Sequence, residues 1–308
     1  MKHLFIVNPV AGGEDVTERL THELARFPQL DATIYRSTHP GDATDYVRAY
    51  CRMHKAPLRF CACGGDGTLN EVVNGAVGFA HASVACYPCG SGNDYVKYYG
   101  DKAPFLDIAS LLDAREVPVD LIRVGDRYAI NACHFGFDST VARLIPKYKR
   151  WALLGSKRAY PAAVLTAFVT SMNNRASLTL DGKPFYDGVF LLCTIANGTH
   201  VGGSYKCAPY AQDDDGLVEV CLIKRVSRFR FLRLLSAYKQ GAHLSDPRFS
   251  DVLCYRRAKS VTIDGPDGFC VSLDGELLTQ SHLTLSVLPG AIQFAVPAVL
   301  LAKAQTTA

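Results

Sequence analysis

The sequence predicts an α/β plus β protein: an amino-terminal Rossmann-like α/β domain followed by an antiparallel β-sandwich domain. Three observations carry this. Apolar runs and helical stripes alternate through the first hundred residues or so. The glycine-rich turns in that stretch all come directly after apolar runs. Beyond Val117-Pro118-Val119-Asp120 the pattern changes to short β-rich runs punctuated by Asp-Gly pairs.

Leu4 to Val7 reads as the first strand, and Asn8-Pro9-Val10-Ala11-Gly12-Gly13 as the turn that ends it. Val16, Leu20, Leu24 and Phe27 fall at helical spacing. Ala32 to Arg36 is a second strand, and Ser37-Thr38-His39-Pro40-Gly41-Asp42 caps a helix near residues 43 to 54. Leu58 to Cys63 is the third strand. It runs into Gly64-Gly65-Asp66-Gly67 and a helix with Leu69, Val72 and Val73 on one face. Ser83 to Tyr87 is the fourth, ending at Pro88-Cys89-Gly90-Ser91-Gly92-Asn93-Asp94. Such alternation implies a parallel sheet with helices on both faces, whose ligands bind beyond the strands' carboxyl ends. Asn8 to Gly12, Ser37, Gly64 to Glu71 and Gly90 to Asp94 are therefore expected to converge on one cleft.

The domains expected are 1–120, with 296–308 packing back on it, and 121–295. In the second, Asp181-Gly182, Asp187-Gly188, Asp215-Gly216, Asp264-Gly265, Asp267-Gly268 and Asp274-Gly275 favour hairpins. Helical interruptions are expected near 138–172 and 228–243.

A chain of 308 residues with 48% hydrophobic and 20% charged residues has enough apolar side chains for a full core. A net charge of +4 without a basic tail argues against a nucleic-acid partner. No apolar run is long enough to span a membrane, and the leading apolar stretch is cut short by Pro9, so a cytoplasmic location is expected. Eleven cysteines, mostly in apolar runs, read as buried reduced thiols. Cys86-Tyr87-Pro88-Cys89 has C-x-x-C spacing but no matching second pair.

Strand, glycine turn and helix start form a phosphate-binding layout, because free amides and the positive helix end face the anion. Asp66 among the glycines points to a cation or a hydroxyl proton beside that phosphate, hence to a nucleotide, Mg²⁺ and phosphoryl transfer. A plain strand-to-helix turn with Thr68 as its N-cap is the simpler alternative.

Asn8-Pro9-x-x-Gly12, Gly64-Gly65-Asp66-Gly67-Thr68-Leu69-Asn70-Glu71, Pro88-x-Gly90-Ser91-x-Asn93-Asp94, Gly136-Phe137-Asp138, Asn197-Gly198, Gly202-Gly203, Ala208-Pro209, Asp214-Asp215-Gly216-Leu217 and Asp274-Gly275-Glu276 follow one another in order. In this the chain resembles the bacterial diacylglycerol kinase and YegS-like lipid kinases, relatives of sphingosine and ceramide kinases, nearly end to end. It departs at Ser91, where the family usually has threonine, and at Ser204, where it has a third glycine. A lysine or arginine often found after the first loop is also missing.

The resemblance implies ATP in an interdomain cleft lined by Asn8, Pro9, Val10, Ala11, Gly12, Ser37, Gly64, Gly65, Asp66, Gly67, Thr68, Leu69, Asn70, Glu71, Ser91, Asn93 and Asp94. It makes Glu276 the base that takes the proton from a lipid hydroxyl, with Asp274 in the same element. An alcohol is a poor nucleophile near neutral pH, so a positioned carboxylate helps the transfer. The alternative for Glu276 is a solvated residue after a hairpin turn. Asp66 and Asp94 are candidates for positioning Mg²⁺ through water, although Asp94 also suits an N-cap. The resemblance further implies a structural Mg²⁺ at Gln212, Asp215 and the Leu217 carbonyl, where a solvated acidic turn is the alternative, and a homodimer.

Arg143 to Arg158 (with Lys147, Lys149, Arg150 and Lys157 around Trp151, Leu153 and Leu154) and Lys224 to Lys239 combine cations with apolar side chains and contain no acid. Either suits peripheral contact with an anionic membrane holding the lipid substrate, or is a solvated basic face. The reading is an ATP- and Mg²⁺-dependent lipid kinase acting on diacylglycerol or a related lipid. A soluble kinase of the NAD kinase type and a non-catalytic binding module are the rivals.

Overall fold

The computed structural model describes residues 1–149 and 155–306. Contacts divide the chain into two compact units. The first holds residues 1–121, 128–130 and 288–308, and the second holds 122–127 and 131–287.

In the first unit the order is β1 (Lys2–Val7), α1 (Thr17–Leu24), β2 (Ala32–Arg36), α2 (Asp42–Met53), β3 (Leu58–Gly64), α3 (Asp66–Ala76), β4 (Ala82–Pro88) and α4 (Ile108–Leu112). Strand β5 (Arg115–Val124) and the short β6 (Arg127–Ala129) carry the chain into the second unit. Strands pair in parallel in the order β4-β3-β1-β2. Every residue of β3 and β4 is buried, as the interior strands of a parallel sheet require, and this explains their unbroken apolar runs. The core gathers Phe5, Leu20, Val47, Phe60, Val72 and Phe294. Helix α1 ends at Leu24, short of the predicted stripe. Phe27 precedes Pro28, which disfavours helical backbone, so the Phe27 amide only closes a turn on Leu24.

The second unit continues with β7 (Ala132–Gly136), α5 (Phe137–Lys149), α6 (Gly155–Thr170), β8 (Asn174–Leu180), β9 (Lys183–Ala196), β10 (Val218–Lys224), α7 (Arg228–Lys239), β11 (Leu253–Ala258), β12 (Ser260–Asp264), β13 (Cys270–Leu273) and β14 (Glu276–Thr279). Strand β15 (His282–Val296) returns the chain to the first unit, where α8 (Ala298–Thr306) follows. Within this unit β14-β13-β7-β9, β9-β8-β12-β15 and β9-β10-β11 pair antiparallel. Helices α5, α6 and α7 pack Phe137, Val141, Ala163, Ala167, Phe231 and Leu234 into its second core.

Two Asp-Gly pairs form tight hairpins. Asp181-Gly182 joins β8 to β9 and Asp274-Gly275 joins β13 to β14, each with both residues at positive φ. Asp187-Gly188 does not turn the chain: it lies inside β9, paired with Ser177 and Ala176. All eleven cysteines are free, and Cys86 and Cys89 form no disulfide. Of the first basic stretch, Arg150, Trp151, Leu153 and Leu154 lie outside the described residues.

Candidate active site

Strand β1 lies between β2 and β3, so the connection from β1 to β2 and the connection from β3 to β4 run in opposite directions along the sheet. At such a switch point the loops beyond the carboxyl ends splay apart and leave a crevice. The loops following β1, β2, β3 and β4 are tied together there. The Asn8 amide donates to the Cys63 carbonyl at 3.0 Å, and the Ser37 amide donates to the Val7 carbonyl at 2.9 Å. Cys89 and Gly90 both donate amides to the Gly64 carbonyl, at 3.0 and 3.1 Å.

The glycines are required by contact. A Cβ on Gly90 would lie 2.3 Å from Gly65 Cα, and one on Gly12 would overlap the Cys89 carbonyl oxygen. Gly12 also sits at φ 66°. Backbone from three loops therefore meets at Gly12, Gly65 and Gly90, and no side chain fits between them.

Side chains reinforce the junction. Asn8 Nδ2 donates to Thr68 Oγ1 at 3.1 Å. Thr68 is thus a bridge within the first turn of α3 and not its N-cap, a position held by Gly65. Asn93, at φ 52°, closes the fourth loop by accepting from the Gly90 amide and donating to its carbonyl. Asp66 Oδ1 accepts the amides of Asp94 and Tyr95 at 2.5 and 3.3 Å. Asp94 stands at the N-cap position of the short 3-10 helix Tyr95–Tyr99 without a side-chain capping bond; its carboxylate pairs with Lys97 at 2.6 Å, and Lys97 Nζ also donates to the Gly92 carbonyl.

Some residues of the same motif face elsewhere. Leu69 is in the core and its amide closes the first helical bond, to Gly65. Asn70 donates to the Tyr128 carbonyl, and Glu71 accepts the Ala43 amide at the start of α2. Val10 and Ser91 are exposed, and Pro9 and Ala11 are half-buried in the first loop. Exposed polar groups and loop amides suit a phosphate chain, and the amino end of α3 adds its positive end.

Glu276 is the first residue of β14, directly after the Asp274-Gly275 turn. It is exposed, and its side chain has no hydrogen-bond or ion-pair partner among the described residues. Asp274 is buried. Its Oδ1 accepts the amides of Asn131 and Ala132 at 3.1 and 2.8 Å, and its own amide donates to the Ala132 carbonyl at 3.0 Å. Asn131 also accepts the amides of Asn197 and Gly198 on its carbonyl. The turn that presents Glu276 is thus pinned to β7 and to the loop after β9.

Asp138, at the start of α5, has its carboxyl pushed up to about 6 by burial. Asp215 accepts the Leu217 amide and pairs with Arg257, which also pairs with buried Glu219. Gln212 is exposed. Among the described residues no three His, Cys, Asp or Glu side chains are grouped to hold an ion. Lys97 and Asn131 escape the sequence reading. Lys97 has a local signal, its i,i+3 spacing from Asp94, whereas the Asn131 contact spans 143 residues.

The diacylglycerol kinase catalytic domain matches residues 2–124, and the YegS C-terminal NAD kinase beta sandwich-like domain matches 131–296. A Bacillus subtilis protein named "Diacylglycerol kinase" is 29% identical over 285 residues, 88% of each chain. A Pseudomonas aeruginosa protein named "Probable lipid kinase YegS-like" is 31% identical over 290 residues, 94% of this chain and 91% of the relative. A crystal structure of a diacylglycerol kinase from Bacillus anthracis str. Sterne shares the fold, with a TM-score of 0.69, 21% identity, and 97% of this chain and 98% of that one covered.

Proposed function

Because this chain belongs to the diacylglycerol kinase catalytic-domain family of lipid kinases, we propose that it transfers the γ-phosphoryl group of ATP to a hydroxyl of diacylglycerol or a related membrane lipid. The observation that carries this reading is the junction of loop backbones at Gly12, Gly65 and Gly90, beyond the carboxyl ends of the parallel strands.

In this proposal residues 1–120 hold the nucleotide. Loop amides and the amino end of α3 bind the phosphates, while Asn8, Ser37, Thr68 and Ser91 supply polar groups. Mg²⁺ bound with the phosphates would offset their charge and the charge developing in transfer. Asp66 and Asp94 already carry amide and ammonium partners, which suits a hydrated ion held through its waters. Lys97, paired with Asp94 and bonded to the Gly92 carbonyl, puts a cation on the loop after β4, while the first loop has no lysine or arginine.

The region 121–295 binds the lipid. Glu276 accepts the hydroxyl proton as the oxygen attacks, and Asp274 keeps its turn in place. An exposed, unpaired carboxylate on a pinned hairpin supports that role. Gln212, Asp215 and the Leu217 carbonyl are the proposed ligands of a second Mg²⁺. Asp215 and Glu219 share the single guanidinium of Arg257, so a further positive charge would be favourable there.

Incubation with labelled ATP and total membrane lipid, followed by lipid extraction and mass spectrometry, tests the reading. A phosphorylated lipid is expected. Label transferred to NAD with none in lipid would overturn it.

A further inference from the structure

The carboxyl end of α6 and the start of α7 are fastened together. Arg228 donates from Nε to the Phe168 carbonyl at 3.0 Å and from Nη2 to the Val169 carbonyl at 2.7 Å. Beneath this clamp Phe168 packs on Phe231, their ring centroids 5.6 Å apart. Above it are apolar side chains that the core does not use. Leu165 and Val169, one helical turn apart on α6, are 65% and 59% exposed, and Phe229 and Leu232 on α7 are 71% and 59% exposed. Four large exposed apolar side chains on two joined helix ends exceed the scattered exposure of ordinary surfaces.

Cations accompany them on α7 and just before it. Arg233 lies 5.3 Å from the Phe229 ring centroid. Arg225, Arg233 and Lys239 are exposed, with no acidic partner among the described residues. Arg230 differs in that Asp251 neutralises it.

We propose that this α6–α7 face docks on an anionic lipid bilayer, with Phe229, Leu232, Leu165 and Val169 entering the interface and Arg225, Arg233 and Lys239 meeting the headgroups. The inference rests on the lipid-kinase reading above, which requires a substrate drawn from a bilayer. It goes further by assigning the surface. Exposed apolar side chains with a cation directly beside Phe229 and further unpaired cations on the same helix and just before it match an interface that is apolar below and negative above. A second copy of the chain fits poorly, because a two-fold contact through this face would oppose its cations to themselves.

The test is sedimentation of the full chain with vesicles of phosphatidylcholine alone, and of phosphatidylcholine mixed with phosphatidylglycerol, without ATP. The parent is expected to bind the mixed vesicles, less so as salt rises. Phe229→Ser with Leu232→Ser should lower the affinity at least about tenfold, and Arg233→Gln about fivefold. These side chains are exposed, so melting temperatures should match the parent and exclude misfolding as the cause. Variants that bind as tightly as the parent would overturn the proposal. So would equal binding to both vesicle types, or a double variant that changes only the oligomeric state. Activity of the parent on a water-soluble short-chain diacylglycerol is measured alongside. Its absence would count against the kinase reading, whereas activity with no vesicle binding would count against the docking face alone.

Discussion

The amide of Asp94 donates to the carboxylate of Asp66 across 2.5 Å, joining the loop after β4 to the first turn of α3. The bond gives Asp66 a role in loop architecture beside any role in phosphate chemistry. Asp66→Ala leaves the amides of Asp94 and Tyr95 without their acceptor, at a cost of about 1–3 kcal/mol. Denaturant unfolding should show that loss. ATP affinity, followed by calorimetry, should fall as well, because the loop is no longer held closed.

Gly90 and Gly67 should respond in opposite ways to the same substitution. Gly90→Ala drives a methyl into Gly65 and should destabilise the chain by about 1–3 kcal/mol. Gly67 is inside α3 with no atom within 4 Å of a built Cβ, so Gly67→Ala should stabilise by about 0.5–1 kcal/mol. Melting temperatures of the two variants test the contrast.

Asp274 ought to matter for stability as much as for turnover. Asp274→Ala removes the acceptor of two buried amides and places alanine at φ 47°, a loss of about 2–4 kcal/mol. Asp274→Asn keeps a carbonyl acceptor and tolerates that backbone, so it should retain most of the stability. Comparison of the two by thermal unfolding separates a pinned turn from a catalytic carboxylate.

The Asp138 carboxyl rises from its ordinary value of 3.8 to about 6 in the folded chain, so the native state holds the proton more tightly. Its contribution to stability is complete below pH 3.8 and is lost as pH rises through about 6. A shift of about two units corresponds to roughly 3 kcal/mol. His3 and His243, held down to about 4 by burial, act with the opposite sign, losing stability as pH falls from 6.5 toward 4. The prediction is therefore a difference: Asp138→Asn should gain on the parent between pH 4 and 6 and remain more stable at pH 7. Stability curves for the two proteins that run parallel would contradict it.

The parallel sheet is legible because burial on both faces of β3 and β4 leaves continuous apolar runs, and because each special turn follows one. The Asp-Gly hairpins at 181–182 and 274–275 are legible through their positive φ, yet the identical pair at 187–188 sits within β9, where strand pairing overrides the turn signal. The helix predicted through Phe27 overreaches because spacing carries no information on the backbone limit set by Pro28. In the site, the glycine contacts and the helix start follow from the motif. The ties of Asn70 to Tyr128, Glu71 to Ala43 and Asp274 to Asn131 do not, since each depends on a partner far along the chain.

Glu276 tests the central claim most directly. Glu276→Gln keeps the shape and hydrogen bonding of an exposed side chain and removes only its capacity to accept a proton. Single-turnover transfer from labelled ATP to diacylglycerol should fall by about 10²–10⁴, with ATP affinity and melting temperature unchanged. Transfer at the parent's rate would contradict the assignment of the base.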